Sequence, residues 1–147
     1  SGSTFSFMLN FTLDQQCGWQ EVEADTGQLL HNLGQISLLL VDDDAMNIYV
    51  ALKFLEEFDN INVTTADDGE KALIEFRRHD YDIIMTDINM PVMNGYDFAT
   101  KLFDQYKERS FFNASDERQC PYLVACTSES SPEALIKCKK HGFKKII

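Results

Sequence analysis

The sequence predicts an α/β domain built on a doubly wound parallel sheet, and three observations carry that expectation. Short runs that are apolar throughout recur along the chain, as strands covered on both faces require. Between them lie stretches with apolar residues three and four apart, the stripe of an amphipathic helix. The two kinds alternate from residue 36 onward, the order that parallel crossovers produce.

Ile36-Ser-Leu-Leu-Leu-Val41 is the first buried-strand run. Ala45 to Phe58 follows as a helix, with apolar residues at 48, 51, 52, 55 and 58. Ile61 to Ala66 is the second strand. Asp67 is expected to cap the next helix, with Glu70 three positions on in a capping-box arrangement leading into Ala72, Leu73 and Phe76. Asp82 to Thr86 is the third strand, and Phe98, Ala99, Leu102, Phe103 and Tyr106 mark a helix after Asn94-Gly95. Lys107 to Gln119 reads as a surface loop. Tyr122 to Cys126 is the fourth strand. Ser131-Pro132-Glu133 opens a helix with an N-cap and a proline in the first turn, and Gly142 ends it. Ile146-Ile147 starts a fifth strand.

The opening residues do not share this rhythm. Phe5, Phe7, Leu9 and Phe11 alternate, which predicts a lone strand within residues 1–13. Residues 14–35 are polar, carry Gly18, Gly27 and Gly34, and read as a linker.

Composition narrows the function classes. Of 147 residues, 44% are hydrophobic and 25% charged, with seven Gly and three Pro, which excludes a disordered or collagenous chain. No apolar run approaches the ~20 residues needed to span a bilayer, and the amino terminus lacks the pattern of a secretory signal. Thirteen basic against 24 acidic side chains give a net charge of −11. That field repels phosphate backbones and anionic lipid, so neither nucleic acid nor a membrane surface is an expected direct partner. Cys17, Cys120, Cys126 and Cys138 form no C-x-x-C pair, as expected of reduced cysteines in a cytoplasmic protein.

Parallel sheets of this kind bind ligands beyond the carboxyl ends of their strands, where the winding reverses. Strand one ends in Val41-Asp42-Asp43-Asp44, strand three in Thr86-Asp87-Ile88-Asn89, and strand four in Cys126-Thr127-Ser128. If strands one and three are neighbours, Asp42, Asp43 and Asp87 meet at one edge. Two carboxylates ~4 Å apart repel by about 4 kcal/mol at an effective dielectric of 20. Either their pKa values rise or a hard divalent cation neutralises them, and oxygen-only ligands suit Mg²⁺ shared with a phosphoryl group. Asp and Asn also serve as turn formers and caps after strands, and Asp44 fits that role alone.

The segment 36–147 resembles the receiver domain of two-component response regulators. Val41-Asp42-Asp43 is similar to its acidic pair, Thr86-Asp87-Ile88-Asn89-Met90-Pro91-Val92-Met93-Asn94-Gly95 to its phosphorylation motif, and Cys126-Thr127 to its switch hydroxyl. Asn47, five after Asp42, resembles the D-D-x-x-x-N pattern of receivers attached to hybrid histidine kinases. The resemblance implies a flavodoxin-like sheet of order 2-1-3-4-5. It implies that Asp87 accepts a phosphoryl group from phosphohistidine, and that Asp42, Asp43, Asp87 and the backbone carbonyl of Asn89 hold Mg²⁺. Thr127 would then hydrogen-bond a phosphoryl oxygen. The implied partners are a phosphohistidine donor kinase domain and a histidine-containing phosphotransfer protein. Such a domain catalyses its own phosphoryl transfer and dephosphorylation inside a parent histidine kinase, which can itself be membrane-bound. Gly2 to Leu9 resembles the tail of a histidine-kinase ATP-binding domain, which would account for the lone strand.

The resemblance also has gaps. The family's Lys at the end of strand five would fall two residues past Ile147, so no active-site Lys lies within the chain. Lys144 and Lys145 precede that place, strand five is expected to be cut short, and helix five is missing. This leaves open a pseudo-receiver that binds proteins without being phosphorylated. An aspartate-nucleophile phosphatase of the haloacid-dehalogenase type would want an acid two positions after Asp87, where Asn89 stands.

Overall fold

A computed structural model describes residues 34–112, 120–129 and 131–147. The chain divides into two units, Ser1–Gly34 and Gln35–Ile147, and the second holds every described element. The strand expected within residues 1–13, and all of the 14–35 linker before Gly34, lie outside the described residues.

The elements are β1 (Ile36–Val41), α1 (Ala45–Leu55), β2 (Ile61–Ala66), α2 (Gly69–Arg78), β3 (Ile83–Asp87), α3 (Gly95–Phe112), β4 (Tyr122–Cys126), α4 (Pro132–Lys140) and β5 (Lys145–Ile146). All strand pairs are parallel, in the order β2-β1-β3-β4-β5. The step from β1 to β2 runs one way across the sheet and every later step runs back. Right-handed crossovers therefore set α1 on one face and α2, α3 and α4 on the other. The reversal lies between β1 and β3, the switch point at which such sheets open a crevice.

One buried cluster joins Leu39 and Val41 of β1, Ile84 of β3, and Leu123 and Ala125 of β4 to the inner residues of α2, α3 and α4. Ala72, Leu73, Phe76, Phe98, Ala99, Leu102 and Cys138 are those inner residues. The alternate positions, Leu38, Leu40, Ile83, Met85 and Val124, are buried as well. Burial on both faces is why these strands read as continuous apolar runs.

Several boundaries differ from the sequence expectation, each for a local reason. Helix α1 stops at Leu55, because the Glu56 N–H closes on Leu52 and Phe58 then turns back onto the Leu55 carbonyl. Asp68, not Asp67, caps α2: its extended backbone lets the carboxylate accept from the Lys71 N–H at 2.8 Å. Asp67 instead pairs with the Lys71 ammonium at 2.7 Å on the surface. Strand β3 is displaced by one residue, since Asp82 uses its carboxylate to accept from the Ser37 N–H at 2.8 Å. Residues 107–112, expected in a loop, continue α3.

Candidate active site

Three strand ends build the site. The pairing of Val41 with Thr86 across β1 and β3 sets Asp42 and Asp87 side by side, each one residue past that pair, at the switch point. Asp87 itself pairs with Cys126 of β4, so Thr127 stands just past the end of β4. Asp87 is thus a ladder residue, and Asp42 and Thr127 each directly follow one.

Asp42 is 7% exposed, a rare degree of burial for a carboxylate. Its Oδ1 accepts from the Asp44 N–H at 2.9 Å and from the Asn47 amide at 3.2 Å. Burial pushes its pKa up from 3.8; these two donors oppose the shift, and the Asp87 and Asp43 charges add to it. Asp43 is exposed. Asp44 is the N-cap of α1, accepting from the Met46 N–H at 2.8 Å, as its residue type and place suggested.

Asp87 is half-buried, and its Oδ1 accepts from the Ile88 N–H at 2.7 Å. Behind it, the fully buried Thr86 hydroxyl donates to the Asp87 carbonyl at 2.9 Å. Gly95 packs where a Cβ would stand 2.5 Å from that same carbonyl oxygen and 2.9 Å from the Ile88 Cα. Close approach of the backbone is what requires glycine there. The positive φ of this loop falls on Val92, at 67°, where Met93 donates its N–H to the Pro91 carbonyl at 2.7 Å. Nothing in the residue type of Val92 signals it.

Thr127 donates its N–H to the Ile147 carbonyl at 3.0 Å, and its Oγ1 accepts from the Glu129 N–H at 3.1 Å. The hydroxyl proton is left to donate elsewhere. Asn89 is exposed beside the site. Cys126, which by sequence reads as a small hydrophobe, borders the carboxylates: burial pushes its thiol up to about 12, and the Asp42 and Asp87 charges add to the shift. It therefore stays a neutral thiol.

The donor set fits a hard divalent cation. Ligands are oxygen only, since Cys126 stays protonated, and among the described residues no donor reaches the Oδ2 of Asp42 or of Asp87. The acids are not a ready-made cage, however: among the described residues no three His, Cys, Asp or Glu side chains are grouped closely enough to hold a metal. Two acid oxygens would have to be supplemented by carbonyl, water or phosphoryl oxygens, as is usual for Mg²⁺.

Fold and strand ends together define a doubly wound α/β domain with a carboxylate-lined switch point. The family model of the response regulator receiver domain matches residues 38–147, and the chain belongs to that family. It is 30% identical over 128 residues to the peroxide stress-activated histidine kinase mak1 of Schizosaccharomyces pombe, covering 84% of this chain and 7% of the kinase. It is 36% identical over 96 residues to the aerobic respiration control sensor protein ArcB of Escherichia coli, covering 65% of this chain and 11% of that one. The chain thus spans only a small part of the curated relatives it matches. Among solved structures, the Vibrio cholerae chemotaxis protein CheY4 superposes with a TM-score of 0.66 at 26% identity, over 78% of this chain and 86% of that one. The Saccharomyces cerevisiae Ssk1 receiver, crystallised with the phosphotransfer protein Ypd1, has a TM-score of 0.71 at 22% identity over 78% of each chain. The receiver of the Pseudomonas aeruginosa kinase PA1611, crystallised with magnesium in its active-site cleft, has a TM-score of 0.61 at 23% identity over 78% of this chain and 84% of that one. The last two likenesses speak to the fold.

Proposed function

We propose that the domain is a phosphoacceptor receiver of a two-component phosphorelay, with Asp87 taking a phosphoryl group from phosphohistidine. The observation that carries this reading is the register of β1 on β3, which brings a buried acid and a half-buried acid together at the switch point. The free Oδ2 of Asp87 attacks phosphorus, a P–O bond forms, and the P–N bond breaks with its electron pair going to the imidazole nitrogen. Asp42, Asp43, Asp87 and the Asn89 carbonyl would hold Mg²⁺, which when bound offsets charge on the transferring oxygens. The Ile88 N–H orients the Asp87 carboxylate through its other oxygen. Thr127 Oγ1 accepts from the Glu129 N–H and keeps its hydroxyl proton to give to a phosphoryl oxygen.

The kinship with mak1 and ArcB supports a place within a hybrid sensor kinase, with residues 1–13 as the last strand of its ATP-binding domain, 14–35 a linker and 36–147 the receiver. The Ssk1 complex with Ypd1 supports a histidine-containing phosphotransfer protein as the second partner, beside the donor kinase domain. Among the described residues no helix is long and apolar enough to cross a membrane. The cytoplasmic setting belongs to the proposed phosphorelay role, in which the receiver meets its phosphohistidine donor. The test is Mg²⁺-dependent labelling of the 147-residue chain by acetyl phosphate, read as a hydroxylamine-sensitive adduct. Wild type should label and Asp87→Asn should not. Equal labelling of both would overturn the assignment.

A further inference from the structure

Asn47 is a surface residue in the first turn of α1, and neither burial nor helix propensity explains it. Asn is a poor helix former, and its side chain is exposed. The N-cap role is already filled by Asp44. Its one described contact is with a carboxylate: Nδ2 donates to Asp42 Oδ1 at 3.2 Å. An ionised carboxylate only accepts, so the amide nitrogen must face it. The Asp44 N–H reaches the same oxygen at 2.9 Å. Two donors on one oxygen fix the plane of the carboxylate and leave Oδ2 as its open ligand atom.

We infer that Asn47 is a positioning residue for Mg²⁺, holding Asp42 with Oδ2 turned toward the cation site. The inference rests on the function proposed above and adds to it a residue outside the ligand set. The Asp44 donor belongs to the backbone and survives any side-chain substitution, so Asn47 is the half of the clamp that mutation can remove. Outer-shell partners that orient a metal-bound carboxylate are worth about 10–100-fold in affinity when lost. An exposed amide beside a surviving backbone donor should sit at the low end, about tenfold.

The test uses Asn47→Ala, and Asn47→Leu as a variant of the same branched shape with no donor. Mn²⁺ affinity is measured by electron paramagnetic resonance of the free ion at pH 7.5, with Asp42→Asn alongside. Both Asn47 variants should bind Mn²⁺ about tenfold more weakly, while each still unfolds in EDTA in one cooperative transition. In acetyl phosphate labelling, the Mg²⁺ concentration for half-maximal rate should rise by the same factor, with the rate at saturating Mg²⁺ unchanged. Wild-type Mn²⁺ affinity in both Asn47 variants, with binding lost in Asp42→Asn, would overturn the role of Asn47 and leave the site standing. Wild-type affinity in Asp42→Asn would overturn the site itself and this inference with it.

Discussion

Val92 carries an uncommon backbone in the loop that leaves Asp87. Its φ of 67° lies in the left-handed region, where an L-residue costs roughly 1–2 kcal/mol, and a side chain branched at Cβ is the worst suited to it. The side chain is 83% exposed, so packing returns little. With about a sixth of it buried, and full burial of a valine worth roughly 2 kcal/mol, the return is about 0.3 kcal/mol. Val92→Asn keeps the length of the loop and places there a residue that tolerates the conformation. Relief of about 1 kcal/mol less the lost packing leaves about 0.7 kcal/mol of added stability, or about 3 °C in melting temperature for a domain of this size. Val92→Ile retains the branch and should gain nothing. Urea unfolding of the three proteins, compared at constant m-value, reads the difference as a shift in midpoint. A Val92→Asn protein no more stable than Val92→Ile would refute the strain. Labelling at Asp87 should be alike in all three, because the pairing of β3 with β4 positions that residue.

Four further substitutions probe the site and its frame. Gly95→Ala drives a Cβ onto the Asp87 carbonyl and the Ile88 Cα, so it should cost about 2 kcal/mol in denaturant melts and slow acetyl phosphate labelling; unchanged stability would mean the loop can yield. Asp42 has a pKa raised in the fold above its ordinary 3.8, so the native state holds a proton more tightly than the unfolded chain, and metal-free stability falls as pH rises from 3.8 through the folded value. Asp42→Asn should remove that slope and raise the metal-free melting temperature at pH 7; identical slopes in the two proteins would contradict it. Asp68→Ala removes the cap of α2 and should cost about 1 kcal/mol, whereas Asp67→Ala breaks only an exposed ion pair and should cost less. The opposite ranking would return the cap to Asp67.

The strands and the candidate acids were legible because each has a signal that survives without coordinates. Strands buried on both faces are apolar at every position, as in Ile36–Val41 and Tyr122–Cys126. Acids directly after such runs, as at Asp42 and Asp87, stand out against them. What stayed hidden depends on a shift of one residue or on a contact across the chain. Asp67 and Asp68 are chemically equal caps, and only the start of α2 at Gly69 separates them. Residues 107–112 lack a clear apolar period, and helix α3 carries through them nonetheless. The requirement for Gly95 and the strain at Val92 arise from how the loop folds back onto β3, which no spacing encodes.

The same distinction explains how the site can be both rigid and incomplete. Asp87 and Cys126 are a ladder pair and Asp42 directly follows the last ladder residue of β1, so their relative places follow from sheet register and resist change. Their charges do not enjoy that support: Asp42 is buried beside Asp87 with two donors to offset the loss of water, and both donors engage one oxygen. Hydrogen bonds that oriented both oxygens would stabilise the acid fully and close the site to any ligand. Clamping Oδ1 alone leaves Asp42 raised in energy with Oδ2 open, an arrangement that a cation can relieve and a phosphoryl group can then share. The cost to metal-free stability and the capacity to bind are therefore two consequences of one geometry, and a substitution that removes the first should remove the second.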